Sequence, residues 1–321
     1  MHYIIDQLRK RNMPIELAII PLIESAYNPQ ATYSAKAVGL WQIVPTTAQA
    51  YGMVSNHQYD QRRELIASTN AALNYLQYLN NLFDGDWLLT IAAYNAGEGR
   101  IKRAQIWNKN HHLPTHFWAL NLPNETMQYI PKLLAIIDIV QRNKYYGVVL
   151  PEGNHTNALV QFNLGRQVKL ETIAQFTDLT LDELETYNAA YFKKKLSDPY
   201  HLLVPNHQAK QLYNNLIKNN FADIEIVDLM AVPKEKNNYE SYNVSITNNK
   251  YLTITDKDLQ LYAHAHLRHY QTLYQVRPGE NLLSIAKKHK VPMNQLLQLN
   301  KIKNADNLKT GDKLVINIRS Q

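Results

Sequence analysis

The chain has 321 residues, 45% of them hydrophobic and 19% charged, with 34 basic against 27 acidic side chains for a net charge of +7, and no cysteine. That composition excludes a disordered polymer, a disulfide framework, thiolate-zinc sites and cysteine-nucleophile chemistry, and the length fits two or three domains. The basic excess is uneven: residues 271–321 carry nine basic and three acidic groups, which suits an anionic envelope polymer, a membrane surface or nucleic acid.

The longest apolar run, Leu17–Ile23, falls far short of the roughly 18 residues a membrane-spanning helix needs. Met1–Asp6 lacks a charged segment followed by an apolar stretch and a small-residue cleavage site. Residues 1–145 read as helical. Ile15–Ile23 forms an apolar helix that Asn28-Pro29 closes, because the residue before proline is pushed out of the α region. Thr69–Phe83 places Ala72, Tyr75, Leu76 and Leu79 at helical spacing. Asp86 caps a helix over Trp87–Asn95 that Gly97 stops. Asn124 caps Glu125–Arg142, with Ile130, Leu133, Leu134, Ile137 and Val140 on its buried side.

Beyond Tyr146-Gly147 the pattern changes to short strands and helices, and a repeat emerges at an offset of 112 residues. Phe162 matches Tyr274, Leu170 matches Leu282, Ile173-Ala174 matches Ile285-Ala286, Asn188 matches Asn300, and Leu202–Val204 matches Leu314–Ile316. Each copy reads strand, helix, helix, strand. Gly279 and Gly311 face Gln167 and Pro199, so the first copy is expected to have lost its turns. Between the copies lie a helical stretch, Ala209–Asn219, and β-leaning pieces near Ile224–Val227, Tyr242–Ile246 and Tyr251–Thr255.

The chemistry concentrates in the first domain. Leu17, Ile20, Pro21 and Glu24 share a helical face, so Glu24 ends an apolar stripe. Apolar surroundings disfavour the carboxylate and raise its pKa, the state wanted in a general acid near neutral pH; a helix-terminal Glu turned to solvent is the bland reading. Three further segments accompany it: Gly39-Leu-Trp-Gln42, Ala93-Tyr-Asn-Ala-Gly97 and Glu125-Thr-Met-Gln-Tyr129. Minor features are Ser34–Val38, Pro45–Ala48 and Asp60–Glu64.

In order and spacing, these pieces over residues 15–145 resemble the lysozyme-like lytic transglycosylases, particularly the membrane-bound type D subgroup. The resemblance implies an α-helical lysozyme-like domain of the goose-type lysozyme/SLT class, followed by α+β LysM-type βααβ modules. It makes Glu24 the sole catalytic acid/base. Ser25 and Gln42 would line the saccharide cleft, Tyr94 and Asn95 would hydrogen-bond the sugar at the scissile position, Tyr129 would sit near Glu24, and Glu125 would orient the active-site network. For Tyr129 the plain reading is a core tyrosine, for Glu125 an acid complementing the helix dipole. Trp41 reads equally as cleft wall or core.

Glycosidases ordinarily use two carboxylates, whereas the family pattern supplies one good candidate. By resemblance the nucleophile is then found in the substrate N-acetylmuramic acid, giving a 1,6-anhydro end without metal or cofactor. A hydrolase of the same fold and an inactive peptidoglycan-binding protein are the alternatives.

The segment Tyr274–Leu282 with Asn300, Leu308, Gly311 and Leu314–Ile316 resembles a LysM module, a family that binds N-acetylglucosamine-containing glycans. Its groove would involve Gly279, Glu280, Asn281, Leu282, Asn304 and Leu308, with Glu280-Asn281 in place of the usual Asp-Thr. The expected domains are 1–147 (transglycosylase), 155–206 (degenerate LysM-like spacer), 207–271 (linker or accessory region) and 272–319 (LysM). His264, His266 and His269 are spaced two and three apart and lack a placed acidic partner, which argues against a metal site. The basic residues form no aromatic-interleaved stripe, which argues against nucleic acid. The expected partner is peptidoglycan, the expected state a monomer, and the expected location the periplasm or envelope of a Gram-negative bacterium, inferred from the substrate.

Overall fold

The computed structural model describes residues 1–33, 36–150, 158–221, 224–229, 270–289, 291, 293–300, 302 and 308–318. The polypeptide divides into two compact units, residues 1–104 with 122–252 and residues 105–121 with 253–321.

The helical part of the first unit contains α1 (His2–Lys10), α2 (Ile20–Ser25), α3 (Pro45–Ala50), α4 (Leu65–Leu82), α5 (Trp87–Ala96), the start of α6 (Glu98–Asn110), and α7 (Asn124–Gln141). Their apolar stripes meet in one core: Ile4, Leu8, Leu17, Ile20, Leu73, Leu76, Leu79, Ile91, Ile130 and Leu133 are fully buried. Each such side chain contributes about 2 kcal/mol of hydrophobic stabilisation. α5 packs against both α4 and α7, so it occupies the middle of the layer. The Asp86 carboxylate accepts the Leu89 N–H at 3.0 Å and caps α5, which Gly97 ends at φ +84°.

Four local expectations are corrected. The stretch Ile15–Ile23 is not one helix: Ile15–Ile19 is 3-10 and α2 begins at Ile20, with Pro21 in its first turn, where a missing N–H costs nothing. The helix closes at Ser25, before Asn28-Pro29, because Ala26 and Tyr27 adopt left-handed φ of +51° and +61°. Asn124 is the first residue of α7 rather than its cap; its Oδ1 accepts from Gln128. Val140 is exposed, since the apolar stripe rotates off the core near the helix end.

The same unit contains a second, α+β body. Its central strand β1 (Leu159–Asn163) pairs antiparallel with β2 (His201–Pro205) and with β3 (Glu225–Asp228), in the register Phe162↔Leu202 and Phe162↔Ile226. Between β1 and β2 lie α8 (Leu170–Ala174) and α9 (Leu181–Tyr187), the latter closed by a Thr180–Glu183 capping box. α10 (Asn206–Lys218) follows β2 and adds Leu212 and Leu216 to the body's core. The expected boundary at 206 is therefore too early: α10 and β3 complete this body and are not linker. The turns of this copy are also present, built at other positions. Gly165 and Tyr200 take φ of +63° and +60° beside the sites where Gln167 and Pro199 replaced glycine.

In the second unit, β4 (Tyr270–Gln275) pairs antiparallel with β5 (Lys313–Ile318), enclosing α11 (Leu282–Lys288) and α12 (Met293–Leu299) in the expected strand, helix, helix, strand order. Leu282, Ile285, Leu296, Leu314 and Ile316 form its core. Among the described residues no helix is long and apolar enough to cross a membrane. The β-leaning pieces at 242–255 and the histidines at 264–269 lie outside the described residues.

The two repeats share one amide device. Asn188 Nδ2 donates to Leu184 O and Leu203 O, both at 2.9 Å, and Oδ1 accepts the Leu203 N–H at 2.8 Å. Asn300 does the same with Leu296 O at 2.9 Å, Val315 O at 2.8 Å and Val315 N–H at 2.6 Å. Every partner is displaced by the same 112 residues. The asparagine thus staples the second helix of each module to its last strand.

Candidate active site

Glu24 lies in the last turn of α2, and the Tyr129 hydroxyl of α7 donates to its Oε1 at 2.7 Å. Burial raises the Glu24 pKa above the ordinary carboxylate value; the Tyr129 bond opposes the shift and the Glu125 charge adds to it. Glu125 itself is exposed, one helical turn before Tyr129. Tyr94 closes the group from α5. Its phenol, like that of Tyr129, is held far above its ordinary pKa, first by burial and then by the Glu24 charge. Glu24, Tyr94, Glu125 and Tyr129, distant in sequence, are therefore electrostatic neighbours.

The loop Gly39–Gln42 is clamped from two sides. The Ser25 hydroxyl lies 2.9 Å from Leu40 O and 3.0 Å from Pro21 O, and the Tyr94 hydroxyl donates to Trp41 O at 2.7 Å. Ser25 is only 4% exposed, so its hydroxyl fastens the loop to α2; the expectation that it lines a cleft is corrected. Trp41 is fully buried and donates Nε1–H to Thr69 Oγ1 at 3.1 Å, which makes it core and not cleft wall. Gln42 takes φ +47°, donates Nε2–H to Gly39 O at 2.9 Å, and keeps a buried Oε1 with no hydrogen-bond partner among the described residues. Asn95 is half-buried beside Tyr94.

Arg62 sets the loop's far side. It forms a buried pair with Asp60 at 2.7 Å and donates Nη1–H to Lys36 O at 2.9 Å and Ile43 O at 3.3 Å. Gly39, at φ +80°, lies so close to this strut that a Cβ would meet Arg62 O at 2.0 Å. The sequence marked Asp60–Glu64 without assigning it a task. Its signal was that Asp60, Arg62, Arg63 and Glu64 are the only charged residues between Lys36 and Asp84.

The second unit's candidate residues are mostly structural. Asn281 caps α11 in a reciprocal box with Ser284, the task the usual threonine would have performed. Glu280 accepts from Tyr274, Lys288 and the Arg277 N–H, and these bonds hold its pKa down at about 2. The Leu282 side chain is core, a correction to its place in a groove, and Leu308 packs partly against the same cluster. Gly279 supplies φ +81° at the turn, and Asn304 lies outside the described residues.

Family models match in chain order. The transglycosylase SLT domain covers residues 2–113, the LysM-like domain of lytic transglycosylase MltD covers 158–219, and the LysM domain covers 274–317. Together with the helical layer and the two modules, these matches define a peptidoglycan lytic transglycosylase of lysozyme-like fold. The membrane-bound lytic murein transglycosylase D of Escherichia coli K12 is 37% identical over 100% of this chain and 76% of its own length. The chain belongs to that family. A putative tributyltin chloride resistance protein of an Alteromonas species is 47% identical over 36% of this chain and 56% of its own length. The soluble lytic murein transglycosylase of E. coli K12 is 33% identical over 35% and 18%, respectively. Among solved structures, the lytic transglycosylase Slt of Pseudomonas aeruginosa aligns with a TM-score of 0.34 at 20% identity, over 46% of this chain and 24% of that one.

Proposed function

We propose that Glu24 is the single acid/base of this transglycosylase, and that it cleaves the bond between N-acetylmuramic acid and N-acetylglucosamine to leave a 1,6-anhydro end. The observation that carries this reading is a carboxyl made more basic by burial, gripped by one tyrosine and approached by a second. Glu24 in its acid form protonates the glycosidic oxygen as the C1–O bond breaks, and the 2-acetamido carbonyl traps the oxocarbenium-like C1. The Glu24 carboxylate then removes the C6-hydroxyl proton while O6 displaces the acetamido oxygen at C1. No water is consumed, and Glu24 ends protonated as it began.

In this reading Tyr129 orients the carboxyl and Glu125 keeps its proton affinity high. Gln42, whose buried Oε1 lacks a donor, and Asn95 take sugar polar groups; Tyr94 and Ser25 fix the loop. Gly279, Glu280 and Asn281 shape the turn of a glycan-binding LysM module, with Leu282 as its core anchor; Asn304, outside the described residues, and Leu308 are its further candidate glycan contacts. The matched order of transglycosylase, LysM-like and LysM domains, over 2–113, 158–219 and 274–317, supports work at the peptidoglycan of the Gram-negative envelope.

Digestion of purified sacculi with mass spectrometry of the released fragments tests this. Anhydro ends carry the proposal; reducing ends would make the protein a hydrolase, and intact sacculi an inactive binder. Glu24→Gln should abolish release and leave sacculus binding unchanged.

A further inference from the structure

The LysM-like body in the first unit meets the helical layer along residues 190–192, and that contact leads to the candidate active site. Residues 190–192 add a short antiparallel pairing to the loop before α4: Asp60 N–H donates to Ala190 O and Phe192 N–H to Gln58 O, both at 3.0 Å, around the bridge Tyr59↔Tyr191. Tyr59, although part of the transglycosylase segment, is fully buried in the module's own core, its ring centroid 4.9 Å from that of Tyr191. The Phe192 ring lies 5.8 Å under the Arg63 guanidinium. Arg63 in turn donates Nη1–H to Gln30 O and Nη2–H to Thr32 Oγ1, both at 2.6 Å, and so holds the segment that follows Glu24. Its neighbour Arg62 braces Lys36 and Ile43, the two ends of the loop that Ser25 and Tyr94 clamp.

We infer that this module is a positioning element for the catalytic loop, and that Phe192 is a positioning residue acting through Arg63. The inference rests on Glu24 being the acid/base. A cation over an aromatic face at an exposed site is a weak contact, enough to bias a loop without deciding whether the chain folds.

The test measures kcat and KM on soluble peptidoglycan glycan oligomers with the full chain. Phe192→Ala should lower kcat about three- to tenfold with KM changed less than about twofold, because misplacement of catalytic groups is felt in the chemical step. Phe192 is 49% exposed, so the melting temperature should stay within about 3 °C. Phe192→Trp, which keeps an aromatic face under Arg63, should restore kcat. Arg63→Gln should lower kcat at least as far as Phe192→Ala, because its bonds to Gln30 and Thr32 go too, and the double variant should be no worse than Arg63→Gln alone. An unchanged kcat in Phe192→Ala, or a loss that tracks a fall in melting temperature and is not rescued by Trp, overturns the inference. Glu24→Gln, run alongside, separates the two readings. If it stays active the assignment of the acid/base falls, whatever Phe192 does; if it is dead while Phe192→Ala is normal, only the positioning role falls.

Discussion

Tyr129 and Glu125 stand one turn apart on α7 and push the proton affinity of Glu24 in opposite directions. The phenol donates to the carboxylate and favours the charged form, whereas the second carboxylate disfavours it. In the proposed reaction Glu24 starts protonated, so the alkaline limb of kcat/KM should report its pKa in the free enzyme.

Removing either neighbour should therefore move that limb in a known direction. Tyr129→Phe deletes the stabilising bond and should shift the alkaline limb upward; Glu125→Gln deletes the repulsion and should shift it downward. Rate–pH profiles on soluble glycan substrates decide this, and shifts of the same sign in both variants would contradict the arrangement.

Gly39→Ala tests the strut beneath the loop. At φ +80°, with a Cβ aimed at Arg62 O from 2.0 Å, alanine fits only if the loop or Arg62 moves. A loss of about 3 kcal/mol or more in urea unfolding is expected, because backbone strain and the buried Asp60–Arg62 pair are disturbed together. Retained stability with normal activity would show that the loop is not pinned.

The asparagine staples offer a paired experiment. Asn188→Ala leaves the buried Leu203 N–H and C=O without their side-chain partner, at about 1–3 kcal/mol, and should speed hydrogen exchange of the Leu203 amide while sparing Val315. Asn300→Ala should do the converse, with a smaller cost because Asn300 is only half-buried.

Glu280 should titrate near 2 in carbon-detected NMR, well below an unperturbed glutamate, and Lys288→Met should raise that value. The folded-state pKa is depressed, so the bonds around Glu280 stabilise the module above the unfolded-state value of about 4.3 and are lost as pH falls from there towards 2. Acid-induced loosening should begin in that window and, in Lys288→Met, at higher pH.

Some of this was legible in the residues and some could not be. Asn188 and Asn300 announced themselves because the repeat preserves every partner at one offset, and a local hydrogen-bond pattern survives in sequence. Glu24, Tyr94 and Tyr129 were visible as motif pieces, but the hydroxyl that Ser25 turns inward was not, since its carbonyl partners belong to backbone that any residue supplies. The turns of the first repeat were misread because positive φ moved to Gly165 and Tyr200, away from the aligned positions. β3 was visible as the β-leaning piece near Ile224–Val227, but its partner was not: strand order depends on residues far along the chain, and nothing in Glu225–Asp228 names β1 as its neighbour.

That third strand bears on portability. β1 is paired along both edges, and α10 closes the core beneath it. A polypeptide cut after Pro205 would bare one flank of β1, including the backbone groups around Phe162, and remove Leu212 and Leu216 from the interior. Open edges of this kind invite pairing with another copy. The LysM-like module is thus not a bead that can be lifted out at its second strand; to be transplanted as a soluble unit it must carry its chain through Asp228, and its docking partner Tyr59 would have to be replaced from elsewhere.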